Sequence, residues 1–440
     1  MDLIFFSIVS FGLLLISAIE GYFIAYPLFA SMAILFFILV RRGYKGRNLF
    51  YFAFTGIKQS FSVIYILLLI GVVIAVWMRA GTVPAIVYYG IQIINPSYFI
   101  LSAFLLSLLV SLLLGTSFGT VSTIGIALMI MANGSNVNPH FTAGAIIAGA
   151  YFGDRCSPMS SSANLIAIVT QTKIYTNIKK MLVTTVLPLL VTVVFYLILS
   201  LTNPVQLEKQ YLISEISRLF NLNPIVLLPA LAIFLLAWLQ VEIKISMLGS
   251  IVLGLCISKY IQGDTFFEIF QDILVGFELT EDTSLKNIIV GGGVISMAKV
   301  CLVVIISTAF AGILTETKVL KFVEIYLNKT KTRADLFLVT NLIGIASAAF
   351  GCTQTIAILL TKELVKNNYQ KKQLDNYQLA IDLENSVVVI SPLIPWNIAG
   401  LVPATILMTD AGFIPYAFYL YCVPLFQYIE MKISDRSFPS

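Results

Sequence analysis

Two segments rich in glycine, serine and threonine interrupt apolar runs, and a Ser-Pro pair follows each of them about forty residues later. The first, GTSFGTVSTIGIAL, begins at Gly115 and precedes Ser157; the second, GCTQTIAILL, begins at Gly351 and precedes Ser391. A broken helix frees backbone carbonyl and N–H groups, and nearby hydroxyl and amide side chains supply neutral oxygens that suit a hard cation such as sodium. The alternative is that these small residues only pack helices closely or bond back to their own turn. The pattern predicts an ion- or substrate-binding site that contains Thr116, Ser117, Thr120, Ser157, Ser160, Asn164, Thr353, Gln354, Thr355, Ser391 and Asn397.

Five ionisable residues lie within or beside apolar segments, where a charge is costly and suggests a function. Asp154 and Arg155 precede the first Ser-Pro pair, Asp382 and Glu384 precede the second, and Lys299 lies within GGGVISMAKVCLVVI. One hypothesis is that a carboxylate binds a cation and releases it on protonation. The alternative is ion pairing that only fixes geometry, between Asp154 and Arg155 or between Glu384 and Lys299. We place Asp154 and Glu384 in the predicted ion site, and assign coupling or charge pairing to Glu384, Asp382, Arg155 and Lys299.

The two carboxylates of the predicted ion site are not expected to be equivalent. Glu384 has no basic residue adjacent in sequence, so burial should favour its protonated form and make it the proton-coupled carboxylate. Asp154 has Arg155 beside it, and contact between them would keep the carboxylate charged. We expect Asp154 to have a mainly structural or cation-orienting role.

The elements that must position these residues are membrane helices. Of the 440 residues, 59% are hydrophobic and 11% are charged, whereas a soluble domain carries about 25% charged residues. Apolar runs of roughly 20 residues recur along the chain, and each is long enough to cross a hydrocarbon core as a helix. Because backbone groups in lipid must bond to one another, the sequence predicts an all-α polytopic membrane protein.

The order of elements repeats along the chain. Each half contains five spans, one of them broken, and one re-entrant hairpin. An odd number of spans turns the second half over relative to the first, which predicts two inverted-topology repeats. The predicted bounds are 1–202 for the first repeat, with a hairpin at about 97–132 and a broken helix at about 141–170; 203–223 for an external linker; and 224–440 for the second repeat, with a hairpin at about 335–364 and a broken helix at about 376–408.

Basic residues predict the orientation, because cytoplasmic loops are enriched in Lys and Arg. Segments 41–47 and 318–333 are basic, whereas segment 133–138 contains neither Lys nor Arg. We therefore expect an integral plasma (inner) membrane protein with both termini and the two basic segments in the cytoplasm and 133–138 outside. The lipid bilayer is its first partner, and the sequence leaves a homodimer open.

Several other classes of protein lack the residues they need. The only histidine, His140, precedes a span, which disfavours a Ser-His hydrolase or a His-ligated metal enzyme. No G-x-x-x-x-G-K-[ST] segment occurs, so a nucleotide-driven pump is not expected, and five scattered cysteines predict neither disulfides nor a thiolate metal site. Two hairpins and two broken helices favour alternating access over a channel. We expect no enzyme, no cofactor, no nucleic-acid partner and no metal other than a sodium ion.

At these residues the sequence resembles the NhaC family of sodium/proton antiporters within the ion transporter superfamily. GTSFGTVSTIGIAL is similar to the family's first-half G-T-S-W-G-T motif, and AGAYFGDRCSPMSSSANL is similar to its G-x-x-F-G-D-[KR]-x-S-P-[LM]-S-D-T-T-N-L segment. SPLIPWN is similar to its second-half signature. The resemblance covers most of the chain. It implies sodium-driven or proton-driven antiport, with sodium and protons as the transported or coupling ions, and some relatives move organic acids or amino acids.

Two departures from the family pattern bear on coupling. Ser161 stands where the S-D-T-T-N motif has aspartate, and Asn385 stands where L-E-D-S-G-T has aspartate. Proton coupling therefore falls more heavily on the two carboxylates of the predicted ion site. We predict a secondary active transporter that exchanges sodium for protons by alternating access. The alternative is a sodium- or proton-coupled permease for an amino acid or organic acid, whose carboxylate would pair with Lys299 or Arg155.

Overall fold

The regular secondary structure of the described residues consists of helices, which confirms the all-α prediction. A computed structural model describes residues 2–135, 137–204, 209–279, 281, 283, 285–286, 288–317, 327 and 330–433. Phe277 and Gly291 form one isolated bridge. Most of the predicted cytoplasmic segment 318–333 and part of the predicted linker 203–223 lie outside the described residues.

The α-helices follow one another closely, and short 3₁₀ and π turns extend several of them. In chain order they are Asp2–Ile19, Ala25–Arg41, Gly46–Arg79, Thr82–Ile93, Phe99–Leu114, Ser117–Thr120, Ile126–Asn133, Pro139–Cys156, Ser161–Thr170, Ile174–Thr202, Lys209–Leu219, Leu228–Trp238, Ile243–Ile257, Phe266–Val275, Val294–Glu316, Arg333–Gly351, Gln354–Lys371, Asn376–Leu383, Ile398–Ile406 and Phe418–Ile433. The π turns are Val121–Gly125, Ser258–Gln262 and Glu384–Val388, and the 3₁₀ turns are Pro96–Tyr98, Pro224–Leu227, Ser391–Leu393 and Ala411–Tyr416.

Six helices of the described residues are long and apolar enough to cross a membrane, or up to eight if each bent pair is one span. The sequence predicted ten spans. The difference arises partly because Ala25–Arg41 has only 17 residues, fewer than the roughly 20 that a span requires. In addition, Pro224–Trp238 forms a bent pair with Leu212–Leu219 at an angle of 94°.

Four interruptions divide the helices that carry the predicted site. We call Phe99–Leu114 with Ser117–Asn133 the first helix pair, and Arg333–Gly351 with Gln354–Lys371 the second helix pair. The first broken helix is Pro139–Cys156 with Ser161–Thr170, and the second is Asn376–Leu393 with Ile398–Ile406, which bends by 51° at its break.

Local sequence explains the interruption within each helix pair. Gly115 ends its helix in the left-handed conformation with φ 65°, and the side chain of Thr116 then caps the next helix by accepting from the N–H of Gly119. Cys352 takes the same conformation with φ 55°, and Thr353 caps the helix that follows. A left-handed residue stops a helix, and a threonine side chain satisfies a free N–H group at the start of the next one.

The first helix pair lies directly against the first broken helix. A Cβ atom added to Gly153 would lie 2.1 Å from the carbonyl oxygen of Ser111. The hydroxyl of Ser111 accepts from the N–H of Gly153 at 3.0 Å and donates to the carbonyl of Gly149 at 2.8 Å. Small residues therefore bring the two backbones into contact, as at other helix interfaces in membranes, and place the two interruptions side by side.

Candidate functional site

The carboxylate of Asp154 is buried where three helices begin. The side chain of Asp154 accepts hydrogen bonds from Nε2 of Gln354 and from Oγ of Ser162, both at 3.1 Å. The backbone N–H of Ser117 donates to it as well. Each donor belongs to the first turn of a helix: Gln354 in the second helix pair, Ser162 in the first broken helix and Ser117 in the first helix pair. Because helix N-termini carry partial positive charge, this arrangement stabilises an ionised carboxylate.

Arg155 does not pair with Asp154, so the alternative of an ion pair between these two residues is not realised. Its guanidinium, fully buried, bonds to uncharged groups instead: the hydroxyls of Thr184 and Tyr419, each at 3.0 Å, the hydroxyl of Thr185, and the side-chain oxygen of Asn385. Successive residues of a helix point in different directions, since each residue turns the helix by a quarter turn or more. Arg155 therefore faces the helix Ile174–Thr202 and the C-terminal helix while Asp154 faces the breaks.

Glu384 is a buried carboxylate of the second broken helix. It is fully inaccessible, and neither carboxylate oxygen has a hydrogen-bond partner among the described residues. Arg155 and Asp154 are the charged groups that interact with it electrostatically. Glu384 opens the π turn Glu384–Val388, and π turns of this kind occur frequently at functional sites.

Lys299 lies away from this centre, so the alternative of an ion pair with Glu384 is not realised. The side chain is exposed near the start of the helix Val294–Glu316. It lines a cavity of about 340 Å³ between that helix, the turn after the first helix of the chain and the C-terminal part of the second broken helix. A lysine near a helix end extends its charge toward the membrane surface. The apolar sequence around Lys299 did not reveal that its side chain lies near a helix end.

Asp382 belongs to a separate cluster. Its side chain forms an ion pair with Arg333 and accepts a hydrogen bond from the hydroxyl of Tyr369 at 2.5 Å. Arg333 and Tyr369 come from the two helices of the second helix pair, whereas Asp382 comes from the second broken helix. Asp382 therefore belongs to a charge pair. Its partner, Arg333, was used in the sequence analysis only to predict orientation in the membrane.

Most of the hydroxyl and amide residues of the predicted site bond to nearby backbone. Four hydroxyls donate to backbone carbonyls: Thr120 to Thr116, Ser157 to Leu112, Ser160 to Asp154 and Ser391 to Val387. The side-chain amide of Asn164 donates to the carbonyls of Pro158 and Ser160, and that of Asn397 donates to the carbonyl of Ala348. Thr355 is exposed. These contacts match the structural alternative, and they shape the breaks that surround Asp154. Ser117 and Gln354 are the predicted hydroxyl and amide residues that bond to its carboxylate.

Tyr151 connects the two halves of the centre and was not among the predicted site residues. Its hydroxyl donates to the carbonyl of Ala399 at 2.6 Å, in the first turn of the last part of the second broken helix. It also bonds to the side chain of Ser117. Contacts between residues this far apart in the chain leave no local pattern, so neither Tyr151 nor the partners of Arg155 were predicted.

Apolar helices that break around two buried carboxylates, with helix N-termini directed at one of them, have the organisation of a secondary transporter. The sequence pattern of the Na⁺/H⁺ antiporter family matches residues 3–163 and 149–429. The chain therefore belongs to the Na⁺/H⁺ antiporter family.

Proteins of known name with similar sequences cover most of the chain. It is 29% identical over 394 residues to the Na⁺/H⁺ antiporter NhaC of Alkalihalophilus pseudofirmus, with 87% of this chain and 85% of that protein covered. It is 30% identical over 408 residues to NhaC of Bacillus subtilis, with 91% and 90% covered. It is 28% identical over 397 residues to the malate-2H⁺/Na⁺-lactate antiporter of Bacillus subtilis, with 88% and 85% covered.

Proposed function

We propose that this protein exchanges sodium for protons by alternating access at the centre formed by Asp154 and Glu384. The observation that carries the proposal is that two buried carboxylates from two broken helices interact electrostatically, one of them held by helix N-termini and the other without a hydrogen-bond partner in the described part of the chain. Burying a carboxylate in this way is costly unless it binds a cation or a proton. The exchange uses both possibilities in turn.

The two carboxylates have different tasks in this mechanism. Ser117, Ser162 and Gln354 donate to Asp154 and oppose the effect of burial on its charge, and in its charged form Asp154 attracts sodium. Glu384 has no such donors, so it binds a proton when sodium leaves and releases the proton when sodium returns. Arg155, held by uncharged partners, offsets one of the two negative charges, so a cation or a proton must balance the other when both carboxylates would otherwise be ionised.

The architecture proposed for this exchange is a pair of inverted repeats, 1–202 and 224–440, joined by an external linker at 203–223. The two helix pairs support it. In each, a left-handed residue, Gly115 or Cys352, ends the first helix and a threonine, Thr116 or Thr353, caps the second. In such repeats the substrate binds between the two halves, and movement of one half against the other opens each side in turn.

Purified protein in liposomes tests the exchange. With sodium inside and a pH-sensitive dye to follow protons, we expect sodium-dependent proton movement when no organic solute is present. Asp154→Asn, which removes the fixed charge, should reduce this flux by at least tenfold, whereas Glu316→Gln, which alters an exposed carboxylate, should leave it unchanged. Proton movement that requires an organic solute would contradict sodium/proton exchange.

A cation-coupled organic-acid carrier is the second candidate, and Arg155 favours it. Its buried guanidinium forms hydrogen bonds only with uncharged groups of the described residues, and an arginine is well suited to bind a carboxylate. The relative named as a malate-2H⁺/Na⁺-lactate antiporter supports testing such solutes. Adding malate, lactate or an amino acid to the same liposomes distinguishes the two candidates, because only a carrier of the second kind takes up the labelled solute.

A further inference from the structure

A cavity of about 350 Å³ lies where several helices end on one face of the protein. It is bordered by the beginnings of the helices Ile174–Thr202 and Arg333–Gly351, the beginning of the second broken helix and the end of the helix Phe418–Ile433. The described residues that line it include Lys180, Arg333, Tyr377, Asp382, Thr184 and Gln427. Basic residues collect at these helix ends, as expected of the cytoplasmic face.

The wall of this cavity leads toward the proposed ion site. Thr184 and Gln427 line the cavity, and both accept hydrogen bonds from the side-chain amide of Asn385, at 3.3 Å and 2.9 Å. The side-chain oxygen of Asn385 in turn accepts from Arg155, which interacts electrostatically with Glu384. One layer of polar side chains therefore separates the cavity from the charged centre.

Arg333, Asp382 and Tyr369 form a cluster at the edge of the same cavity. Arg333 forms the ion pair with Asp382, and the Tyr369 hydroxyl donates to Asp382 at 2.5 Å. The guanidinium of Arg333 also lies 5.5 Å from the centre of the Tyr369 ring, and the Tyr369 hydroxyl lies 3.2 Å from the hydroxyl of Thr340. The Asp382 side chain is 1% exposed. The cluster thus joins both helices of the second helix pair to the second broken helix, at a depth where a charge without its partner is costly.

We propose that this cavity is the cytoplasmic mouth of the ion pathway, and that the Arg333–Asp382–Tyr369 cluster is a latch that closes the passage from the mouth to Asp154 and Glu384. The inference rests on the proposed function, since it supplies the route for the exchanged cation. When the latch is closed, the second helix pair is held against the second broken helix, and Asn385 and its partners seal the floor of the mouth. When the latch opens, the two elements separate and water reaches the centre from this side.

The position of the latch explains why an ion pair would be retained at this depth. A pair within one rigid element would add little control, but this pair links two elements that must move relative to each other in alternating access. Asp382 is two residues before Glu384 in the same broken helix. A shift of this helix that breaks the ion pair therefore also moves the proposed proton-binding carboxylate.

Cysteine labelling tests the proposal directly. Ile381 is 7% exposed and lines the mouth, so we take Ile381→Cys as the reporter in a chain whose five native cysteines are replaced by alanine or serine. A membrane-impermeant thiol reagent should modify it in inside-out vesicles and not in right-side-out vesicles. Arg333→Gln and Tyr369→Phe, each of which weakens the latch, should raise the labelling rate at least fivefold. Modification only from the external side would overturn the assignment of the mouth.

Arg79→Gln is the matched control for the latch. It removes a comparable, partly buried ion pair, Arg79 with Asp272 at 2.5 Å, at the far end of the long helix Gly46–Arg79, and the labelling rate of Ile381→Cys should stay within twofold of the unmodified background. An equal rise in this control, or no rise in folded Tyr369→Phe, would show that the cluster is only structural. Tyr369→Phe keeps the proposal testable if Arg333→Gln does not fold. Because labelling does not depend on which ion moves, the latch is tested separately from sodium/proton exchange.

Discussion

Gln354 donates from its side-chain amide to the carboxylate of Asp154 at 3.1 Å, across 200 positions of the chain. The same amide nitrogen lies 3.2 Å from the carbonyl of Val388. One side chain at the start of a helix therefore touches the first broken helix and the second broken helix at once. Both hydrogen bonds of Gln354 can form only when the two broken helices are in this relative position.

Loss of this link should impair transport. Gln354→Met keeps the volume of the side chain but removes the donor, and a hydrogen bond to a charged group contributes about 1.5–3 kcal/mol, which corresponds to roughly a tenfold or larger change in an equilibrium constant. We expect the sodium concentration for half-maximal exchange to rise about tenfold in the liposome assay. Gln370→Met, an exposed position of the same helix, is the control and should behave as the unmodified protein. Equal sodium dependence in both variants would mean that Gln354 does not position Asp154.

Gly115 should tolerate no side chain. Its φ of 65° is unfavourable for other residues, and a Cβ atom would lie 2.5 Å from the Cβ of Met159. Gly115→Ala should therefore lower the thermal unfolding midpoint in detergent by several degrees or abolish expression. Gly43 separates the two effects, because it also has positive φ, 92°, but open space around it. Gly43→Ala should cost only about 1 kcal/mol, and an equally severe defect there would show that backbone conformation, and not the close approach, is decisive.

Asn385 should be replaceable by aspartate but not by an apolar residue. Its side-chain oxygen accepts from Arg155, and an aspartate would accept there with a stronger, charge-assisted bond that offsets the loss of the amide donor to Thr184 and Gln427. Asn385→Leu would leave the buried guanidinium with one partner fewer and free Thr184 and Gln427, at a cost of about 2–3 kcal/mol. Thermal unfolding should thus rank Asn385→Asp close to the unmodified protein and Asn385→Leu several degrees lower. A stable Asn385→Leu would show that Arg155 does not depend on this contact.

Sequence reasoning succeeded where the physics is local and failed where it is not. Apolar runs identified the helices because a backbone in lipid must bond to itself. The segments that begin at Gly115 and Gly351 located two helix breaks because the residues that stop one helix and cap the next lie within a few positions of the break. The oxygen atoms to which Arg155 donates belong to residues 26 to 264 positions away, so no spacing rule could identify them. The alternative of an Arg155–Asp154 pair is not realised because neighbours in sequence lie on different faces of a helix.

Orientation in the membrane is a prediction that single cysteines check. Cysteines introduced at 41–47 and at 330–333 should react from the cytoplasmic side, because these segments are basic. Cysteines introduced at 133–135, a segment without Lys or Arg, should react from outside. Inside-out and right-side-out vesicles with an impermeant reagent give the two readings. Cytoplasmic labelling of 133–135 would contradict the inverted arrangement of the two repeats.

Glu384 and Asp154 should respond differently to loss of charge. Neither oxygen of Glu384 has a hydrogen-bond partner among the described residues, so Glu384→Gln reproduces the shape of the protonated side chain without removing a contact. We expect a folded protein whose transport no longer varies with pH, because the group that exchanges protons is gone. Asp154→Asn replaces an acceptor that holds donors from Ser162 and Gln354, so its amide would face those donors. It should weaken sodium binding more than tenfold or destabilise the fold while any remaining activity keeps its pH dependence.

The comparison of the two variants decides the assignment of the proton. Transport is measured between about pH 6 and pH 9 in liposomes, and thermal unfolding in detergent confirms that each variant is folded. Glu316→Gln, at an exposed position of another helix, controls for the loss of one carboxylate and should retain the pH dependence of the unmodified protein. Unchanged pH dependence in folded, active Glu384→Gln would remove Glu384 from proton exchange. The proton would then belong to Asp154 or Asp382, and since Asp382 is held by Arg333 and Tyr369, Asp154 would be the first of the two to replace.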